Sequence, residues 1–262
     1  MKKSWLLLRQ ALVVFVIFTF LAVFFSIGVS PQKAQNQSEA NDLFDKFSRS
    51  DSVSRAIRSK AKDFINVRIN SLEDRANVEK VGTIVEDYGS FVVLAKDKTA
   101  NLSGSKLDFQ SLDMSVNLPS GKFEPLDASR PSAVENSSGK NYYIVQFGGM
   151  ATGEWLKSLE VTGAEIVQYV PHNSFFVYAD DEAIGKIANH SRVRWVGNYL
   201  AEDKISPELT AFTRNVNAPT AMFDIAVFSR ADIARVSGEF ANSIQGKILD
   251  IIKLPNNFFN VI

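Results

Sequence analysis

One pattern is written twice in the second half of this chain, and it limits the fold more than any other feature. Pro171-His172-Asn173-Ser174-Phe175-Phe176 returns as Pro255-Asn256-Asn257-Phe258-Phe259. Each copy closes the same series: a strand-like run (Tyr142 to Phe147, then Phe223 to Phe228), apolar residues at helical spacing, a glycine, and a second apolar run. Self-similarity of this kind means that one supersecondary unit is used more than once. The chain is therefore expected to fold as tandem modules.

The first copy is the more readable. Trp155, Leu156 and Leu159 share a helical face, and Gly163 supplies the left-handed stop. Ala164 to Val170 and Ser174 to Ala179 read as strands around the Pro171-His172-Asn173 turn. Asp180-Asp181 stands where a helix N-terminus wants a cap and negative charge. Ala183, Ile184, Ile187 and Ala188 mark that helix's inner face, and Val193 to Tyr199 is a last strand. The order over 141–204 is β-α-β-β-α-β, the ferredoxin-like arrangement.

The second copy, 205–262, stops before its second helix and fourth strand. It reads as an incomplete module with an open sheet edge and an open apolar face, either truncated or completed by something else. Gly82 to Ala95 weakly echoes Gly163 to Ala179, which makes three related units. The expected class is α+β.

The upstream half is organised differently. Lys2, Lys3 and Arg9 precede an uncharged apolar run from Ala11 to Val29. About 19 apolar residues approach the length that spans a bilayer as a helix, and the basic flank keeps the N-terminus cytoplasmic. Residues 1–30 are expected to be a signal peptide, cut near Ser26-Ile27-Gly28, or an uncleaved signal anchor held in the membrane through 11–29. On either reading the rest of the chain is extracytoplasmic, secreted or membrane-anchored. Residues 31–75 read as a polar spacer and then amphipathic helices, with Leu43, Phe44, Phe47, Val53, Ile57, Phe64, Ile65 and Ile69 at three-to-four spacings. Residues 76–126 form a β-rich partial module, with strands at Gly82 to Glu86 and Ser90 to Ala95 and shorter ones near Lys106 to Phe109 and Asp113 to Leu118. Residues 127–140, with Pro131, four serines and a Ser-Gly pair, read as a linker.

Composition excludes several functions. There is no cysteine, so neither a disulfide framework nor a zinc-thiolate site is available. Of 29 basic residues four precede residue 36, where no acidic one lies, so the exported part is mildly acidic and carries no electrostatic footprint for nucleic acid. A hydrolase needs a nucleophile beside a base. Only His172, in a turn, and His190, at a helix end, offer an imidazole, and both read as solvated or dipole-paired residues. No Gly-x-Ser-x-Gly, Gly-x-x-x-x-Gly-Lys-Ser/Thr or His-Glu-x-x-His occurs. Asp180-Asp181 alone makes no coordination sphere, Gly148-Gly149 is a strand-to-helix connection, and Trp155 and Trp195 read as core positions. Asn36, Asn101, Asn136 and Asn189 open Asn-x-Ser/Thr sequons, which matter only in a host that glycosylates. No catalytic, cofactor-binding or metal-ligating residue is assigned.

Tyr142-Tyr143-Ile144-Val145-Gln146-Phe147, Trp155, Gly163-Ala164-Glu165-Ile166, Tyr169 through Val177, and Val193-Arg194-Trp195-Val196-Gly197 together resemble the N-terminal prodomain of secreted bacterial subtilisin-like serine proteases. Asp87-Tyr88-Gly89-Ser90-Phe91-Val92 is similar to the segment that often precedes it. The resemblance implies a non-catalytic propeptide that assists folding of a cognate subtilisin-like protease, in cis or in trans, and inhibits it. It implies that the sheet face packs on surface helices of the protease while a C-terminal tail fills the cleft. The Asp, His and Ser motifs of a catalytic domain are absent from these residues. Contact residues are expected on the open sheet face opposite the helices, in 142–147, 164–170, 174–179 and 193–199. The alternative is a membrane-anchored scaffold whose ferredoxin-like modules make protein contacts.

Overall fold

The computed structural model describes residues 42–48, 51–103, 105–127, 139–213, 222, 224–228, 232–243, 247–253 and 258–261. The apolar run 11–29, the spacer before residue 42 and most of the 127–140 linker lie outside them. No helix among the described residues is long and apolar enough to cross a membrane.

After a helical segment over residues 42–47, Ser52–Ile57 forms α1, capped by the Asp51 side chain on the Ser54 amide. Lys62–Arg68 is then strand β1, which corrects the helical reading of Phe64 and Ile65, and Ile69 follows just past its end outside any helix. The neighbours Phe64 and Ile65 point to opposite faces and enter different cores, Phe64 beside Ile57 and Val93, Ile65 beside Val78 and Leu94. A strand buried on both faces loses the alternation that would have announced it. Helix α2 (Leu72–Val81), capped by Ser71, leads to β2 (Gly82–Asp87) and β3 (Phe91–Asp97). The three-residue β4 (Phe109–Ser111) closes the sheet. The strand order is β2-β3-β1-β4, antiparallel throughout.

The second sheet repeats this plan. β7 (Asn141–Phe147), α3 (Gly153–Glu160), β8 (Glu165–Val170), β9 (Ser174–Ala179), α4 (Asp181–Ala188) and β10 (Val193–Asn198) follow in sequence. Their sheet order is β10-β7-β9-β8, again antiparallel throughout. Read from the other end, this is the order of the first sheet, with the first strand between the third and the fourth. Local chemistry sets the boundaries. Thr152 accepts from the Trp155 amide, Gly163 takes φ +92° after α3, and Asp180 accepts from the Ala183 amide. Both helices cover one face, where Trp155, Leu159, Ile184 and Ile187 meet Tyr143, Val145, Phe147 and Val177. Phe47 from the N-terminal segment joins that core.

The edge strands of the two sheets also agree in detail. β2 shifts register between Ile84 and Glu86, and β8 between Ile166 and Gln168. An extra residue at an edge twists the strand and guards it against unwanted pairing. A short helix α5 (Pro207–Thr213) follows the second sheet. The third unit has β11 (Ile225–Phe228), α6 (Ile233–Ser243), β12 (Ile251–Lys253) and β13 (Phe258–Val261), in the order β11-β13-β12. This is the same β-α-β-β core, and no fourth strand joins it among the described residues.

The hairpin β5 (Val116–Leu118) and β6 (Gly121–Phe123) belongs to neither ladder. It lies on the second sheet, against the face opposite α3 and α4.

Candidate functional site

The sheet face expected to be open is covered. Ile144, Val170, Phe176 and Trp195 form one buried cluster with Val116 and Leu118 of the hairpin, and Phe123, Leu126 and Tyr199 pack around it. Trp195 meets Phe123 edge to face, with ring centroids 5.7 Å apart. Its ring lies over Gly197, where a Cβ would fall 2.2 Å from the indole. The expectation of contact residues on this face is therefore corrected. Four large apolar side chains could not stay in water there, and the hairpin supplies their cover.

Beneath the hairpin lies the most polar part of the interior. Gln146 donates through Nε2 to the Met114 carbonyl at 2.9 Å and to the His172 carbonyl at 3.2 Å. Arg194 donates to Gln146 Oε1 at 2.7 Å, to the Met114 carbonyl at 3.3 Å and to Glu124 Oε1 at 2.6 Å. Its guanidinium stands over the Phe64 ring of the first sheet, 5.5 Å from the centroid. Burial lowers the Arg194 pKa, and the Glu124 carboxylate works against that shift. Both polar residues interrupt apolar strands, Gln146 before Phe147 and Arg194 between Val193 and Trp195. That interruption was the signal in the sequence, and motif searching passes over it.

A second set of groups joins the first two units. Arg58, next to the end of α1, donates to the carbonyls of Val193, Ala188 and His190 at 3.1, 2.9 and 3.0 Å. It thereby satisfies the end of α4 and part of the free side of β10. Arg192 pairs with Asp51 at 3.0 Å and lies 3.9 Å from Glu86. Burial raises the Glu86 pKa, with Arg192 opposing. Tyr88 donates its hydroxyl to the Met150 carbonyl at 2.5 Å, and burial pushes its own pKa up.

The two histidines are structural, in different ways. His190 is fully buried rather than solvated and stacks on Phe47 with centroids 4.8 Å apart. Its Nδ1 accepts from the Arg192 amide at 3.1 Å, so the ring proton sits on Nε2 and is directed at Ser158 Oγ, 2.8 Å away. The Ser158 hydroxyl donates in turn to the Trp155 carbonyl at 2.6 Å. Burial first, then the charges of Arg192 and Arg58, pull the His190 pKa down to about 3. A ring whose free nitrogen is engaged by backbone and whose serine faces away is no general base.

His172, in the β8–β9 turn at φ +65°, directs Nδ1 to the Ser115 carbonyl at 3.2 Å, with Asp113 Oδ2 at 3.6 Å. Burial works to raise the Asp113 pKa, but hydrogen bonds from Lys122 and Ser115 outweigh it and hold the carboxyl well below the usual range. This cluster ties the base of the hairpin to the turn.

Asp180 caps α4, and Asp181 accepts from the Tyr143 hydroxyl at 3.2 Å. Among the described residues no group of three or more His, Asp or Glu is placed to hold a metal. A cleft of about 290 Å³ between the first two units reaches Arg194, but it carries as many acidic as basic side chains, and its innermost cation is already paired with Glu124. Among the described residues these polar groups bind one another.

Residues 117–200 match a family described as a domain of unknown function, DUF8729. The matched stretch begins inside the hairpin and ends just past β10, so it takes in the cover and the sheet together. No curated protein and no solved structure matches the chain.

Proposed function

We propose that this chain is the non-catalytic, propeptide-like region of an exported subtilisin-like serine protease precursor, built of ferredoxin-like modules and acting as chaperone and inhibitor of the protease domain. One observation carries the reading. The second sheet has the order β10-β7-β9-β8 with both crossover helices on one face, the ferredoxin-like order, in the residues whose sequence resembles such prodomains. Residues 1–30 then serve as the export segment, and the chain works outside the cytoplasm. Because the hairpin fills the opposite sheet face, a protease meets this module elsewhere, and the exposed Tyr169 on edge strand β8 is a suitable anchor.

The test uses residues 31–262 with the subtilisin-like protease encoded in the same locus. Dose-dependent inhibition, or a higher refolding yield of the denatured protease, supports the reading. Neither effect at a severalfold molar excess rejects it.

A second reading is favoured by the covered face and by the polar joint between units one and two: a membrane-anchored scaffold whose modules make protein contacts. Under that reading the chain leaves protease activity unchanged, and crosslinking in cells recovers a partner with no protease domain.

A further inference from the structure

His190 owes its burial to a segment from another part of the chain. Residues 42–48 precede the first sheet, yet Phe47 and Leu43 pack into the core of the second unit, under α3 and α4. Phe47 stacks on the imidazole, Phe147 of β7 meets it edge to face at 6.0 Å, and Ser158 of α3 engages Nε2. Two backbone bonds depend on this arrangement. The Ser191 amide donates to the Phe47 carbonyl at 2.6 Å, and the Arg192 amide donates to His190 Nδ1 at 3.1 Å. The segment itself is lightly held. Phe47 is its one buried residue, and its ion pair with α3, Lys46 to Glu154, is exposed. By contrast α1 is anchored by Ile57, which is fully buried against Gly148.

The closed segment and a proton on the ring exclude each other. A proton on Nδ1 removes the acceptor of the Arg192 amide and places an imidazolium between two phenyl rings. The charges that act on the ring are the cations Arg192 and Arg58, which oppose it further. The nearby carboxylates answer to other groups: Asp51 pairs with Arg192 at 3.0 Å, Glu86 lies 3.9 Å from Arg192, and Glu154 takes Lys46. Burial works to raise the Asp51 pKa, but the Ser54 amide and Arg192 hold it below its ordinary 3.8. Burial raises the Glu86 pKa, so acid strengthens the packed state through that group. Loosening between pH 6.5 and 4.5 therefore comes from His190.

We infer that residues 42–48 are an acid-released latch: proton uptake by His190 holds Phe47 off the second unit while the two sheets stay folded. With Phe47 away, the ring meets water and takes its proton at the ordinary 6.5, whereas under Phe47 it does so only at about 3. Residues 42–48 follow the apolar run 11–29 in the chain, so the latch governs how closely that run is tied to the second unit. The inference rests on these contacts and not on the protease reading, so either can fail alone.

The test is amide hydrogen exchange of the full chain in non-ionic detergent at pH 7.5 and 4.5, corrected for the intrinsic rate at each pH. Opening at the Ser191 and Arg192 amides is expected to rise roughly a hundredfold, since the lower pH lies two units below 6.5. At both pH values these amides exchange at least about tenfold faster than those of Val145 and Val177, which marks a local opening. His190→Gln takes up no proton and leaves the Ser191 opening nearly unchanged across the same range. Phe47→Leu keeps an apolar side chain without the stacking, and serves also where the His190 variant does not fold. It raises opening at Ser191 at both pH values while Val145 and Val177 keep their protection. Equal exchange of Ser191 and Val145 at both pH values, opening at Ser191 that does not change with pH, or a hundredfold rise that survives in His190→Gln overturns the inference. So does Phe47→Leu if Ser191 keeps its full protection, or loses it only together with the sheet.

Discussion

Ile57 stands where a side chain on Gly148 would be: a Cβ built on that glycine falls 2.5 Å from Ile57 Cγ2 and 2.9 Å from its Cβ. Here the end of α1 and the end of β7 meet, so the first two units approach as closely as a missing methyl allows. Ile57 is β-branched, which restricts its χ1, and it is fully buried. Gly148→Ala is expected to cost about 1–3 kcal/mol as overpacking, read as a lower urea midpoint. Gly153→Ala, with nothing within 4 Å of its new Cβ, is the control and leaves the midpoint unchanged or raises it.

His190 makes the protein sensitive to acid. Its folded pKa of about 3 lies below the ordinary 6.5, so the folded state holds the ring neutral while the unfolded chain takes up a proton. The stability it contributes is complete above pH 6.5 and falls as the pH drops toward 3, by up to about 1.4 kcal/mol per pH unit. His190→Gln lowers stability at pH 7 and gives a shallower decline between pH 6.5 and 4. Urea unfolding across that range measures both effects, and an unchanged acid slope in the variant refutes the assignment.

The buried Arg194 pairs with the half-exposed Glu124 and joins strand, hairpin and first unit. Arg194→Met leaves Gln146 Oε1 without its charged donor while Glu124 still reaches water, so it is expected to cost about 1–3 kcal/mol. Glu124→Gln keeps an acceptor and costs less. Arg194→Lys does not rescue, because a point ammonium cannot reach Glu124, Gln146 and the Met114 carbonyl at once. Thermal unfolding of the three variants ranks them.

Gly197→Ala tests the hairpin cover directly. The added methyl would meet the Trp195 ring at 2.2 Å, and the ring must leave its place against Phe123. The expected outcome is a red-shifted tryptophan emission and faster proteolysis within 112–126, with α3 and α4 still protected from hydrogen exchange. Unchanged emission would mean that the ring and the hairpin move together.

Much of the second unit was legible in the sequence because its signals are local. Thr152, Gly163 and Asp180 fix helix ends through bonds to residues three apart or through their own backbone angle, and the Phe-rich strands follow from β-propensity. The first unit was half hidden. Phe64 and Ile65 sit side by side in a strand buried on both faces, a pattern that an irregular helix also produces, so the likeness of the first sheet to the second emerged only with its strand order.

The sequence by itself determined that this protein is made of a repeated β-α-β-β unit without cysteine, with an apolar N-terminal run and none of the hydrolase or phosphate-loop motifs sought in it. Ownership of surfaces was decided by the tertiary structure. Val116 and Leu118 alternate like any short strand, and nothing in their neighbours says that they cover Trp195 and Phe176 and not the sheet they follow in sequence. His190 looks like a solvated helix end until Phe47, from more than a hundred residues away, closes over it. Caps and turns are set by bonds a few residues long. The cover of a sheet face and the burial of a titrating ring depend on which distant segments arrive there, and that is a property of the packed chain.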